Sequence, residues 1–140
     1  MQYDDLAEVS STKLMQANGW QEQYRIIIDW GTRLITLKPD LRQATHLIKG
    51  CETSAWLVHC IEQGCHRFAF DSDSRVINGL AGLLLSMMDK KMTNELMQLN
   101  FNTILRDAGL EKHLSPSRSN GLKAIIKRAY ELAQCESIMN

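Results

Sequence analysis

The sequence has no excess of charge of either sign. It contains 16 lysine and arginine residues against 16 aspartate and glutamate residues, so its formal net charge is +0. No run of like charges is longer than two residues. Proteins that bind nucleic acid or anionic membranes usually carry a basic excess or a basic stripe. We therefore expect neither nucleic acid nor a membrane surface as a partner.

Long apolar runs are also missing. The most apolar stretch, residues 80–88, is far shorter than the roughly 20 residues that a membrane-spanning helix needs. Residues 1–5 are acidic and lack the apolar segment typical of a signal peptide. We expect a cytoplasmic protein whose cysteines are reduced thiols. These cysteines are Cys51, Cys60, Cys65 and Cys135.

The chain has only two prolines, no internal repeat and no linker rich in proline or glycine. Its 140 residues, 44% of them hydrophobic, match one domain with its own core. We predict a single domain over residues 1–140. A glycine-rich phosphate-binding loop and a serine nucleophile elbow are both absent from the sequence, which argues against the commonest nucleotide-binding and hydrolase motifs.

Hydrophobic periodicity predicts helices at both ends of the chain and strands in the middle. The predicted helices are residues 4–16, 20–30, 76–87, 93–97, 101–108 and 119–134, and the predicted strands are residues 46–49, 54–62 and 65–70. This order is typical of an α+β fold with about three strands in a small antiparallel sheet. The most apolar helix, residues 76–87, is predicted to be the central one.

Short polar and glycine signals mark the expected helix ends. The expected caps and stops are Asp4 or Asp5, Gly31, residues 71–74, Thr93 and Gly109. Helix capping also accounts for the neighbouring carboxylates of Asp71 and Asp73. Gly79 and Gly82 inside the central helix cost about 1 kcal/mol each relative to alanine. We therefore expect the backbone of this helix to pack closely against a neighbour.

The stretch Lys49-Gly50-Cys51-Glu52 lies between two predicted strands and is expected to form a loop. Gly50 allows a sharp turn, so Cys51 is displayed rather than packed. A thiol reacts through its thiolate, which nearby cations favour. Lys49 and His46 are the cations closest in sequence, and Arg118 at the start of the last helix is a more distant one. We interpret Cys51 as a reactive thiol.

A second set of candidate ligands flanks the predicted hairpin turn. It consists of His59, Cys60, Cys65 and His66, which resembles a zinc site by composition. Successive side chains of a strand point to opposite faces, so each histidine is predicted to point away from the cysteine beside it. Four ligands that converge on one ion are therefore not expected here.

Three stretches, taken in their order and spacing, resemble one known family. They are Gly50-Cys51 with Trp56-Leu57, then residues 71–80 (DSDSRVINGL), then residues 113–122 (HLSPSRSNGL). Together they are similar to the SufE/CsdE family of cysteine desulfuration proteins, over about residues 20–130. The fold that this resemblance implies is a small antiparallel sheet with helices packed mainly on one side, as in the IscU scaffold proteins.

The resemblance implies a sulfur acceptor and activator that acts with a PLP-dependent cysteine desulfurase of the SufS or CsdA type. Cys51 matches the acceptor cysteine, which takes persulfide sulfur and passes it to a downstream recipient such as an iron–sulfur scaffold. PLP belongs to the desulfurase, so no cofactor is expected in this chain. The expected role is that of an accessory sulfur carrier rather than an independent enzyme, either as a monomer or as a homodimer.

Two further residues take roles from the resemblance. Arg118 matches the arginine of a Ser-Arg-Ser motif that supports the cysteine loop, and Gly50 is expected to be the pivot of that loop. A persulfide needs protection from water and oxidants. We therefore expect an apolar pocket lined by Trp56, Leu57 and the central helix.

Two other functions stay open at this point. One is an iron–sulfur or zinc scaffold that uses Cys51, Cys60 and Cys65 with a histidine. The other is a structural module that activates a partner by contact alone. Cys60 and Cys65 do not belong to the family pattern, and either could also carry sulfur.

Overall fold

The computed structural model describes residues 9–33, 42–49 and 53–139. Within these ranges helices come first, one hairpin follows, and further helices complete the chain. The helices are α1 (Ser11–Met15), α2 (Trp20–Arg33), α3 (Arg75–Met88), α4 (Thr93–Met97), α5 (Phe101–Asp107) and α6 (Pro116–Met139), and the strands are β1 (Ala55–Glu62) and β2 (Cys65–Ser72). The α+β prediction is confirmed.

The two strands form the predicted antiparallel hairpin. Gln63 and Gly64 connect them with φ values of 54° and 78°, and positive φ at both turn residues is the pattern of a type I′ turn. The register pairs Leu57 with Phe70 and His59 with Phe68. Leu57, Phe68 and Phe70 are buried on one face of the hairpin, where α3 contacts β2.

The predicted strand over residues 46–49 is wrong. A short 3₁₀ helix, Ala44–His46, occupies its start, because the backbone N–H of Leu47 donates to the carbonyl of Ala44. Only one bridge, between Leu47 and Trp56, then joins this segment to β1. The sheet therefore has two strands in the described part of the chain. Residues 44–49 join it through a single β-bridge.

Helix α3 is the centre of the molecule, as predicted. The side chain of Ser74 caps it by accepting a hydrogen bond from the N–H of Ile77, and 11 of its residues are buried. It contacts α2, β2 and α6. Within the described ranges, every helix is too short or too polar to cross a lipid bilayer.

Gly31 does not end the second helix, contrary to the prediction. Helix α2 continues to Arg33, and Gly31 packs directly against α3. A Cβ at Gly31 would collide with the carbonyl oxygen of Arg75, and one at Gly79 would collide with that of Ile27. Glycine is needed at both positions for backbone contact between the two helices, which confirms the close packing predicted at Gly79.

Three other helix boundaries differ from the predictions. Helix α1 begins at Ser11, and Ser10 caps it; Asp4 and Asp5 lie outside the described residues. Helix α6 begins at Pro116 rather than residue 119, since proline suits the first helical position, where its missing N–H is not needed. Thr93 is the first residue of α4 rather than its cap. Helix α5 ends before Gly109, as predicted, and the φ of Gly109 is 72°.

Candidate functional site

Gly50 and Cys51 lie outside the described residues, but the chain on both sides of them is described. The backbone N–H of Ile48 donates to the carbonyl of Ala55 over 2.8 Å. Leu47 and Trp56 form the adjacent bridge. These contacts fasten the start of β1 to the segment before it, so both ends of residues 49–54 are held at the sheet.

The C-terminal end of this segment is also tied to β2. Ser72 Oγ donates to the carbonyl of Ser54 at 2.9 Å, and the Asp73 N–H reaches the same carbonyl at 3.3 Å. The amide of Asn78, on α3, donates to the carbonyl of Ser72 at 2.9 Å. The central helix therefore fixes the end of β2, and β2 fixes Ser54, three residues after Cys51.

Arg42 fastens the N-terminal side of the same region. Its Nε and Nη2 donate to Asp71 Oδ2 at 3.0 and 2.7 Å, and its Nη1 donates to Asp73 Oδ1 at 3.2 Å. The guanidinium carbon lies 4.5 Å from the centroid of the Trp56 ring. Asp71 is 2% exposed, and its hydrogen bond and charge raise the pKa of the Arg42 guanidinium above its ordinary value.

The sequence suggested that Asp71 and Asp73 are helix caps, and the structure shows that they are not. Ser74 caps α3, and the two carboxylates bind Arg42 instead. Sequence reasoning missed Arg42 altogether. It lies 29 residues before Asp71, and nothing in the local pattern around it predicts which carboxylate it meets.

A cavity of about 380 Å³ lies beside this region, and Arg118 lines it. The other lining residues are Thr53, Ser74, Ile77, Ser115, Ser117 and Gly121. The cavity brings Arg118 to Thr53, two residues from Cys51 in the chain. Its lining is mostly hydroxyl groups and one guanidinium. The predicted apolar pocket is wrong for this cavity: Leu57 is 1% exposed within the core, and Arg42 lies over Trp56.

The starts of two helices position the polar groups of this cavity. Ser115 Oγ accepts a hydrogen bond from the Arg118 N–H at 3.3 Å, so Arg118 is in the first turn of α6. Ser74 begins α3 in the same way. The N-terminal end of a helix carries partial positive charge. With the Arg118 guanidinium, these two helix ends give the cavity a field that favours an anion.

The Arg118 side chain contacts an aromatic ring. Its guanidinium carbon is 5.6 Å from the centroid of Tyr24, within the range of a cation–π contact. Arg118 makes no ion pair with any described residue. Its charge is therefore not neutralised by a carboxylate of the described chain.

The histidines at the hairpin turn meet each other rather than the cysteines beside them. His59 Nε2 and His66 Nδ1 are 2.7 Å apart, and His66 Nε2 is 2.6 Å from Thr93 Oγ1. His66 is 1% exposed, whereas Cys60 is exposed. The prediction that each histidine points to the opposite face from the cysteine beside it is confirmed. No three histidine, cysteine, aspartate or glutamate side chains of the described residues converge on one metal position.

Comparison with known proteins places the chain in a family. A family model described as "SufE: Fe-S metabolism associated domain" matches residues 9–133. The chain belongs to the SufE family. Membership confirms the resemblance seen in the three sequence stretches, and it associates this SufE-family chain with iron–sulfur metabolism.

A solved structure supports the fold independently. The solution structure of a hypothetical protein from Thermus thermophilus is similar with a TM-score of 0.73. The two chains are 17% identical, and the similarity covers 97% of each. At this identity the likeness shows the fold alone, and it agrees with the α+β arrangement predicted for the SufE family.

Proposed function

We propose that this SufE-family protein is the sulfur acceptor and activator of a PLP-dependent cysteine desulfurase, with Cys51 as the acceptor. The observation that carries the proposal is the juxtaposition of Thr53 and Arg118 in one polar cavity. Thr53 is two residues from Cys51 in the chain, a separation that spans at most about 7 Å. Of the four cysteines, Cys51 is thus the one tied by the chain to that cavity.

The proposed reaction is transpersulfuration, a form of thiol–disulfide exchange. The Cys51 thiolate attacks the outer sulfur of a persulfide on the desulfurase. A new bond forms between Cys51 Sγ and that sulfur, the sulfur–sulfur bond of the donor breaks, and the donor cysteine leaves as a thiolate. The transferred sulfur keeps its oxidation state, so the step needs no external oxidant or reductant.

Arg118 supports both anions in this scheme. A nearby cation lowers the pKa of a thiol and so raises its thiolate fraction. The Arg118 guanidinium and the starts of α3 and α6 supply positive charge at the cavity. We assign Arg118 the support of the Cys51 thiolate and of the persulfide that replaces it, with Gly50 as the pivot through which the loop turns towards the donor.

The chemistry that releases sulfur from free cysteine belongs to the partner. PLP in the desulfurase performs it, and this chain needs only a thiol, a supporting charge and a surface that the partner recognises. We therefore assign the chain the role of an accessory carrier with a covalent persulfide. Its sulfur then passes to a downstream recipient in iron–sulfur metabolism.

The test measures sulfur on the protein and turnover of the desulfurase in the same reaction. Purified protein is incubated with the desulfurase and cysteine, and intact mass spectrometry counts the added sulfur atoms. We expect one added sulfur and faster turnover with the wild type. Neither is expected with Cys51→Ser, whereas Cys135→Ser, the matched control, should behave as wild type.

Two results would contradict the proposal in different ways. Cys51→Ser protein that still gains a sulfur atom would show another acceptor. Cys51→Ser protein that gains none but still stimulates the desulfurase fully would favour the structural module that acts by contact alone.

A further inference from the structure

A second concave surface is lined by residues that precede the cysteine segment in the chain. It is a groove of about 350 Å³ between residues 44–49 and helix α6. We call it the α6 groove. Leu47 and Lys49 form part of one wall, and Lys127, Arg128 and Glu131 form part of the other. Lys49 is two residues before Cys51, so the groove adjoins the acceptor segment.

The α6 groove is positively charged on a protein that has no net charge. Three cations line it against one carboxylate: Lys49, Lys127, Arg128 and Glu131. Arg128 Nη1 lies 3.3 Å from Glu131 Oε2, so the charges of these two side chains neutralise each other. Lys49 and Lys127 are exposed and make no ion pair with a described residue. The charge that no described carboxylate matches therefore sits on these two lysines, one on each wall.

The groove also has an apolar part. Leu47 is 41% exposed, one of the few large hydrophobic side chains that the described surface leaves open. Ile48, beside it, also lines the groove and is buried. The groove thus combines an exposed apolar side chain with charged ones, a mixed composition that protein–protein contacts share.

The arrangement of the charges favours a protein over a small anion. The two unmatched ammonium groups stand on long, flexible side chains from separate elements, rather than around one preorganised point. Such a distribution matches carboxylates spread along a peptide, and complementary rim charges mainly speed association and select the partner. The exposed Leu47 side chain would contact an apolar residue of the same peptide.

We propose that the α6 groove docks an acidic segment of the cysteine desulfurase, with at least two carboxylates near an apolar side chain. This inference rests on the proposed function. A segment bound between Lys49 and Lys127 holds the donor beside the cysteine that accepts its sulfur. The groove thus selects the partner, while the Arg118 cavity supports the chemistry.

The experiment compares two charge reversals that change the net charge equally. Lys49→Glu/Lys127→Glu alters the groove, and Lys90→Glu/Lys112→Glu alters two exposed lysines that do not line it. All proteins carry Cys51→Ser, so that binding is measured without sulfur transfer. The dissociation constant for the desulfurase is determined at several salt concentrations, and thermal melting checks that each variant is folded.

We expect the groove variant to bind the desulfurase about tenfold more weakly at low salt and to lose much of the salt dependence. The control variant should bind within about twofold of the parent. Equal weakening in both variants would overturn the proposal, as would unchanged binding by the groove variant.

Other occupants give their own results, and each contradicts the proposal. Loss of the parent's binding when inorganic phosphate replaces chloride at constant ionic strength would assign the groove to a small anion. A change of oligomeric state in the groove variant alone, measured by sedimentation, would assign it to a second copy of this chain. A desulfurase that does not bind the parent at all would also overturn the proposal.

The outcome also separates this inference from the proposed function. Wild-type protein that takes sulfur on Cys51 while the groove variant binds normally would refute only the docking site. Wild-type protein that takes no sulfur on Cys51, yet binds through the groove, would refute only the role of Cys51.

Discussion

The two ends of the hairpin carry similar residues but use them differently. At the end that holds the cysteine segment, Arg42 pairs with buried Asp71 at 2.7 Å. At the end that holds the turn, Arg67 pairs with Asp89, which is partly buried, at 2.9 Å. We call them the loop end and the turn end. Both have a partly buried Arg–Asp pair, and both have at least one cysteine nearby in the chain.

The difference lies in which cation is available to a thiol. At the turn end Arg67 bonds to Asp89 and also lies 3.5 Å from Glu62, so carboxylates match its charge. At the loop end Arg42 is matched by two carboxylates, but Arg118 adds a second guanidinium without an acidic partner among the described residues. Under the proposed function, an arginine near a cysteine supports its thiolate only if carboxylates do not already match the charge of that arginine.

The largest expected effect concerns the two Arg–Asp pairs. Arg42→Ala and Arg67→Ala each leave a buried carboxylate without its main partner, and each should lower the free energy of unfolding by about 2–3 kcal/mol. Both pairs are partly solvated, which keeps the loss below that of a fully buried pair. Urea denaturation at constant pH measures it.

The rate of sulfur transfer should then distinguish the two Arg–Asp pairs. Under conditions where both variants are folded, Arg42→Ala should slow transfer to Cys51, because it releases the segment that leads to the cysteine. Arg67→Ala should not. Equal transfer rates in the two variants would show that the loop end and the turn end are equivalent scaffolding.

Replacing Arg118 is expected to change the rate of sulfur transfer rather than the stability, and by a smaller free energy. Arg118→Ala should slow sulfur transfer about tenfold, roughly 1.4 kcal/mol, and should change the free energy of unfolding by under about 0.5 kcal/mol, as is usual for a side chain outside the core. Single-turnover transfer and urea denaturation measure the two quantities.

Arg118→Lys is the matched variant, since it keeps the charge but not the planar guanidinium. It should recover part of the lost rate. A large drop in stability with normal transfer in Arg118→Ala would show instead that Arg118 is structural.

Thr93→Val gives the smallest effect and belongs to the turn end. It keeps the shape of the side chain and removes the hydroxyl that meets His66 Nε2 at 2.6 Å. Losing one buried hydrogen bond should cost about 1 kcal/mol. Sulfur transfer should stay at the wild-type rate, and a slower rate would mean that the turn end influences Cys51.

The hairpin and the central helix were predictable because local signals decide them. Gly64 suits a turn residue with positive φ, and buried side chains alternate with partly exposed ones over residues 55–58 and 65–70. The central helix begins at a serine cap and is apolar on most sides. These patterns depend on neighbours in sequence, so the sequence alone reveals them.

Two of the following wrong predictions depend on distant partners, and one depends on a local turn. Residues 46–49 are apolar enough for a strand, but the preceding 3₁₀ turn leaves only one bridge to β1. Gly31 looks like a helix stop until α3 is seen to pack against it. Asp71 looks like a cap because Arg42 is far away in the chain. At Gly31 and Asp71 a contact between separate elements overrides the local preference.

The most direct test locates the sulfur in the wild-type protein. One turnover of the desulfurase is stopped with iodoacetamide, and peptide mass spectrometry then finds which cysteine carries the trapped persulfide. We predict the label on Cys51, with Cys60, Cys65 and Cys135 alkylated as plain thiols. A persulfide on Cys60 or Cys65 at a level equal to or above that on Cys51 would contradict the role assigned to Cys51.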